Sequence, residues 1–165
     1  MTLQTPRFNL TPFQASDWPF FLQIRQDKRV MRYMAEIASE SQIRTLFEDR
    51  LNDPNAFVIR DEQGHAIGDV GLRPSPHLVQ EADVGYSILP EAQGQGVASE
   101  VVAALCDFAF TQRDIHALNA WVLSDNLGSV RVLEKSGFTR VQVLEQAYLL
   151  RGKYYDDWIY RREKH

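Results

Sequence analysis

Gln93-Gly94-Gln95-Gly96-Val97-Ala98 follows a strand-like run ending at Ile88-Leu89-Pro90 and precedes an apolar helix that opens with Ser99-Glu100 and runs to about Thr111. This strand–glycine turn–helix passage decides the fold. Glycines let backbone amides approach an anion closely, because no Cβ stands in the way. A helix starting directly afterwards adds unpaired N–H groups and the positive end of its dipole. Together these predict a pyrophosphate site, and hence a phosphorylated cofactor. A Walker loop is excluded, since no lysine lies between Lys28 and Lys135. So is a Rossmann fingerprint, because Gly94 and Gly96 lack a third glycine at the right spacing and about 90 residues precede them.

A second passage, Asn126-Leu-Gly-Ser-Val-Arg-Val-Leu-Glu-Lys-Ser-Gly-Phe138, reads as a short amphipathic helix. Asn126 is its N-cap, Gly137 its C′ residue, and Leu127, Val130 and Leu133 its apolar stripe. The first motif fits Gln/Arg-x-x-Gly-x-Gly/Ala through Gln93, Gly96 and Ala98. The second fits Asn-x-x-Ser/Ala followed by Gly-Phe, with the strand Ala117–Leu123 between them. In this order and separation the two motifs resemble the GNAT superfamily of acetyl-CoA-dependent N-acetyltransferases. Arg7-Phe8-Asn9-Leu10, Asp83-Val84-Gly85-Tyr86-Ser87-Ile88 and the segment from Gly152 through Asp156 to Tyr160 resemble the Rim-type branch, which acetylates ribosomal-protein N-termini.

The 165 residues predict one domain over 1–165, 44% hydrophobic and 24% charged. No apolar run reaches the roughly 20 residues of a membrane span. The first residues lack a secretory signal pattern, and Cys106 alone cannot form an intrachain disulfide. A cytoplasmic location is the expectation. A net charge of −4 without a basic face argues against nucleic acid as partner, and suits a cationic amine. His65, His77, His116 and His165 are scattered, so no metal site is expected. Oligomeric state, monomer or homodimer, is not legible.

The pattern along the chain predicts β (6–13), α (15–28), α (39–52), β (55–61), β (65–73), β (81–89), α (97–111), β (116–123), α (126–136), β (138–147) and β (153–162). Gln63-Gly64 marks a hairpin turn. The fold class is α+β, and the resemblance implies a mixed, mostly antiparallel sheet of about seven strands flanked by about four helices.

The resemblance also implies the chemistry. The acetyl donor is acetyl-CoA, its pyrophosphate held by Gln93, Gly94, Gln95, Gly96, Val97, Ala98 and Ser99. Its pantetheine would lie along the preceding strand, with Ile88 and Leu89 beside the thioester and one of their N–H groups as oxyanion donor. Asn126 would sit near the pantetheine amides. Ser129 is the candidate proton donor to the leaving thiolate, since the family's common tyrosine four residues later is Leu133 here. The candidates for general base are Asp83, Glu145 and Tyr148. Period-2 alternation sends Glu145 and Tyr148 to opposite faces unless a bulge intervenes. An α-amine with pKa near 8 is about a tenth free at pH 7, so weak base catalysis would favour α-amines over lysine side chains. The expected reaction is direct attack of a primary amine on acetyl-CoA in a ternary complex, with a protein N-terminus, ribosomal or other, as acceptor. The alternatives are a small-molecule amine such as a polyamine or antibiotic, and a non-catalytic acyl-CoA sensor.

Overall fold

Eight strands form one sheet in the computed structural model, which describes residues 1–165. They are β1 (Leu3–Gln4), β2 (Asn9–Pro12), β3 (Ala56–Arg60), β4 (Ala66–Pro74), β5 (Glu81–Ile88), β6 (Ala117–Leu123), β7 (Thr139–Leu150) and β8 (Lys153–Glu163), in spatial order β1-β2-β3-β4-β5-β6-β8-β7. All pairs are antiparallel except β5 with β6. The helices are α1 (Trp18–Gln26), α2 (Lys28–Met31), α3 (Glu40–Leu51), α4 (Val97–Gln112) and α5 (Leu127–Lys135).

Strand β3 shows why the sheet is sandwiched. Its apolar run is buried on both faces: Phe57 and Ile59 join the core formed with α4 and α5, while Ala56 and Val58 meet Phe21, Ile43 and Phe47 of α1 and α3. A strand buried on both sides needs no polar alternation. The larger core has 25 buried residues, including Val101, Val102, Leu105 and Phe108 along one side of α4.

The α+β class and the mostly antiparallel sheet are as expected, with two corrections of count. There are eight strands rather than seven, because Leu3-Gln4 adds a two-residue edge on β2. There are five helices rather than four. The stretch expected to be helical over 15–28 breaks at Asp27, whose backbone is extended (ψ 119°) and whose carboxylate caps the Arg29 and Val30 amides of α2. The capping acid wins over helical continuity, because it satisfies two amides that a new helix start would leave open.

The feature that positions the site is a splay in the sheet. Strand β5 pairs with β6 only over Glu81–Asp83 against Ala117–Asn119, whereas all seven residues of β6 pair with β8. From Val84 onward β5 stays with β4, β6 stays with β8, and the sheet opens between them. The closed end is pinned by Glu81, which accepts from Arg161 Nη1 at 2.6 Å and from Asn119 Nδ2 at 3.1 Å. These bonds hold the Glu81 carboxyl below its ordinary range.

Candidate active site

The splay opens a cleft of about 830 Å³ that runs through the sheet. One wall is Val84 to Ile88 of β5, and the other is Ala120 to Leu123 of β6. At one mouth lie the glycine turn and the N-termini of α4 and α5; at the other lie α2 and Tyr33-Met34.

The glycine turn is built for an anion. Gly94 and Gly96 have φ of 75° and 76°, the left-handed region that side chains with a Cβ avoid. Gly96 is the N-cap of α4, so no side chain caps the helix. The amides of Gly94 through Ser99 donate to no group of the chain. Six free donors lie at the positive end of a 16-residue helix, and all but that of Gln95 belong to residues lining the cleft. Gln93 turns inward instead and donates from Nε2 to the Ile88 carbonyl at 3.0 Å. Gln95 does not line the cleft. Beside the turn, a smaller hollow is lined by Arg7, Ser99, Glu100, Lys135 and Ser136; Arg7 is paired with Glu100 at 2.8 Å, and the Ser136 hydroxyl there is buried without a partner.

Strand β5 offers the cleft a free backbone edge. The Leu89 amide donates to Ile67 at 2.9 Å, so Leu89 is tied to the neighbouring strand side and cannot also be an oxyanion donor. Antiparallel ladders alternate, so the Gly68–Ile88 pair is the non-bonded kind. The Ile88 N–H therefore points away from β4, into the splay, as do the polar groups of Val84 and Tyr86. Of the two donors expected, Ile88 is the one available.

On the α5 side, Asn126 accepts from the Ser129 amide at 3.3 Å, the N-cap bond expected from sequence. The Ser129 hydroxyl lies 2.5 Å from the Tyr86 hydroxyl. Burial pushes the Tyr86 phenol up in pKa, against a smaller opposing effect from Ser129, so it is a neutral hydroxyl at physiological pH. Alternation along β5 turns Tyr86 to the α5 face with Val84 and Ile88, and Leu133 lies in the same lining. A phenol thus reaches the cleft from β5 where none is available from position 133.

The opposite face of β5 carries Ser87, which accepts from Arg25 Nη1 at 3.3 Å. Arg25 is bidentate to Asp69 of β4 at 3.1 and 2.9 Å, nearly buried on both sides, and fixes α1 to the cleft wall. Above this wall, Tyr148 donates to the Met34 carbonyl at 2.9 Å, and Arg151 donates to the carbonyls of Arg32 and Ala35. Tyr33 meets Tyr155 edge-on, 6.4 Å between centroids. The β7–β8 hairpin thereby holds the segment after α2 over this mouth of the cleft.

The structure separates the other residues expected at the site. Tyr148 lines the cleft, but Asp83 and Glu145 do not. Asp83 sits at the closed end, paired in register with Arg73 and Asn119; burial raises its pKa and Arg73 partly offsets this. The bulge that could bring Glu145 and Tyr148 together is present. The register shifts between Leu144 and Tyr148, with Gln146 at φ 46° and its amide on Asp156. Glu145 is nevertheless exposed. Cys106 is fully buried on α4, its thiol pushed up to about 11 by burial, and has no contact with the cleft.

Sequence reasoning missed Tyr86 and Asp157. Asp157 of β8 is 9% exposed and lines the cleft beside Leu123, its register partner on β6. Strand alternation could have placed Tyr86 on the helix face. No signal marked Asp157, which reads in sequence as one more polar residue in an Asp-Asp pair.

A turn of free amides, a splayed strand edge and hydroxyls facing it form one cleft suited to an extended, pyrophosphate-bearing ligand. The profile of the family described as "Acetyltransferase (GNAT) domain" matches residues 7–139. The chain belongs to this family and is an acetyl-CoA-dependent N-acetyltransferase. It is 26% identical to the spermidine N(1)-acetyltransferase of Vibrio cholerae over 91% of this chain and 89% of that one. In fold it is similar to the acetyltransferase (GNAT family) from Bacillus anthracis, with TM-score 0.90, 21% identity, and 99% and 98% of the two chains covered. It is likewise similar to RimL, a ribosomal L7/L12 alpha-N-protein acetyltransferase solved with coenzyme A, with TM-score 0.86, 20% identity and the same coverage.

Proposed function

We propose that this protein transfers the acetyl group of acetyl-CoA to the α-amine of a protein or peptide N-terminus, by direct attack in a ternary complex. The pyrophosphate rests on the amides of Gly94 to Ser99, within the segment Gln93–Ser99, and the pantetheine runs along the free edge of β5 from Val84 to Ile88. Lys135 and the unpartnered Ser136 hydroxyl, with Arg7 held beside them by Glu100, receive phosphate from the nucleotide end. Asn126 holds the start of α5, which presents Ser129. The Ile88 amide polarises the thioester carbonyl, and Ser129, backed by Tyr86, supplies the proton to sulfur.

The observation that carries the choice of acceptor is the charge of the cleft. It holds one carboxylate, Asp157, against the guanidinium of Arg32 and that of Arg29, the latter already paired with Asp27 at 3.0 Å. A polyamine brings several positive charges and needs several carboxylates to offset their desolvation. A peptide N-terminus brings one ammonium and a neutral backbone, and fits. The second reading, a polyamine acceptor, is favoured by the name of the Vibrio cholerae relative. A soluble, cytoplasmic enzyme of one domain fits either acceptor; no helix is long and apolar enough to cross a membrane.

A competition assay tests the choice. Peptides beginning with Ala or Ser and spermidine are offered together with acetyl-CoA at pH 7, and products are separated by mass. Predominant peptide acetylation is expected. Predominant acetylspermidine would establish the second reading.

A further inference from the structure

The acceptor side of the cleft contains one acidic group that nothing in the chain neutralises. Asp157 is nine-tenths buried, lines the cleft, and makes no hydrogen bond or ion pair, although every other buried acid is paired. Asp17 is held by Arg60 and Asp69 by Arg25. Its carboxylate opens only toward the cleft, partly stripped of water and with no partner from the chain, and so points to a cationic ligand in the cleft that supplies the partner.

Its place in the sheet says which ligand. Tyr160 of β8 reaches Glu134 of α5, and Trp158 packs on the α4–α5 core, so these residues face the cofactor side. Asp157 has the opposite parity, shared with Arg161, which reaches Glu81 on the other face of the sheet. The register partners of Asp157 are Leu123 of β6 and Leu144 of β7, at the open end of the splay where β5 has moved away. The Ser129–Tyr86 hydroxyl pair opens on the α5 face, and Asp157 on the α2 face, of one continuous cleft.

We propose that Asp157 binds the acceptor ammonium and takes its proton, on the side of the thioester opposite the Ser129–Tyr86 pair. This rests on the acetyl-transfer reading above. The incoming R–NH3⁺ gives one proton to the Asp157 carboxylate, which later releases it to solvent. The free amine forms a C–N bond to the acetyl carbon and the C–S bond breaks. The nitrogen loses its second proton as the amide forms, and this balances the proton that the hydroxyl pair gives to sulfur. Atoms and charge close as ammonium plus thioester giving amide, thiol and one proton.

The surroundings leave Asp157 as the acid that titrates in the site. Burial alone pushes its carboxyl up. The other charged or titratable groups of the cleft lining are Arg29, Arg32, Tyr33, Tyr86 and Tyr148. On neighbouring strand positions, Asp156 is turned to the Gln146 amide and Glu145 is exposed.

The test compares wild type, Asp157→Asn and Asp157→Glu over the same panel of peptide and polyamine acceptors, from pH 5 to 9. Wild type should lose kcat/KM for the acceptor as pH falls, along a limb above the ordinary carboxylate range. Asp157→Asn should lower kcat/KM by about 100-fold at pH 7 and abolish that limb, with the KM for acetyl-CoA within about twofold. Asp157→Glu keeps a carboxylate and should keep the limb at reduced rate. An Asp157→Asn enzyme within twofold of wild type, or one that is slower but retains the limb, would overturn the proposal. A wild type that turns over no amine while binding acetyl-CoA would instead overturn the acetyl-transfer reading, and the role of Asp157 with it.

Discussion

The three residues proposed to carry the chemistry, the Ser129–Tyr86 pair and Asp157, make separate predictions. Ser129 and Tyr86 share one short hydrogen bond, so either hydroxyl can be the last donor to sulfur. A thiol is a good leaving group, so less is asked of the acid than for an alkoxide. Ser129→Ala should reduce kcat by about 10- to 100-fold, and Tyr86→Phe by less, with acetyl-CoA binding preserved. A loss below about threefold in the double variant would remove this pair from the mechanism. Asp157 predicts a trade between stability and activity. Its folded pKa is raised, so its stabilising contribution is present below the unfolded carboxylate pKa of about 3.9 and is lost as pH rises through the folded value. Asp157→Asn should therefore raise Tm at pH 7, by about 2–4 °C for each kcal/mol recovered, and the gain should vanish near pH 3. An unchanged or lower Tm at pH 7 would mean the carboxylate is not strained as buried.

At the scale of elements, the glycine turn and the splay were legible to different degrees. The turn was legible from the local succession of strand, glycines and helix, because a left-handed residue before a helix leaves few options besides glycine. Gly96→Val forces a branched side chain into φ 76° and places its Cβ 3.3 Å from Arg7 Nη2. It should raise the KM for acetyl-CoA at least tenfold with little change in acceptor KM; equal effects on both would argue against a cofactor role for the turn. The splay was not legible, because it depends on which strand each residue pairs with. Nothing in the sequence marks Glu81, yet it is the clasp at the closed end. Its pKa is lowered, chiefly by the Arg161 hydrogen bond, so the stability it provides is present above the unfolded carboxylate range and is lost as pH falls through the folded value. Glu81→Gln should cost about 1 kcal/mol at pH 7 and flatten the acid limb of stability, as followed by thermal unfolding between pH 3 and 7.

Across the whole molecule, what sequence made visible was whatever is encoded locally. Helix starts with caps such as Ser39 and Asn126, the hairpin at Gly64, and the buried Cys106 all follow from neighbours in the chain. Asp27 broke an expected helix because a side-chain cap outweighed apolar periodicity. The acceptor half of the site is nonlocal: α2, Tyr148 of β7 and Asp157 of β8 meet only after a hairpin more than 110 residues away folds over the segment following α2. That is why the sequence offers a continuous motif for the cofactor half and none for the acceptor half. The central claim is that donor and acceptor meet inside the splay, between the two hydroxyls and the lone carboxylate. A crystal structure with coenzyme A tests it most directly. The account predicts the pyrophosphate on the amides of Gly94 to Ser99, pantetheine along Val84 to Ile88, and the thiol sulfur about 3–4 Å from the Ser129 or Tyr86 hydroxyl. A cofactor bound with its thiol outside the β5–β6 opening would contradict it.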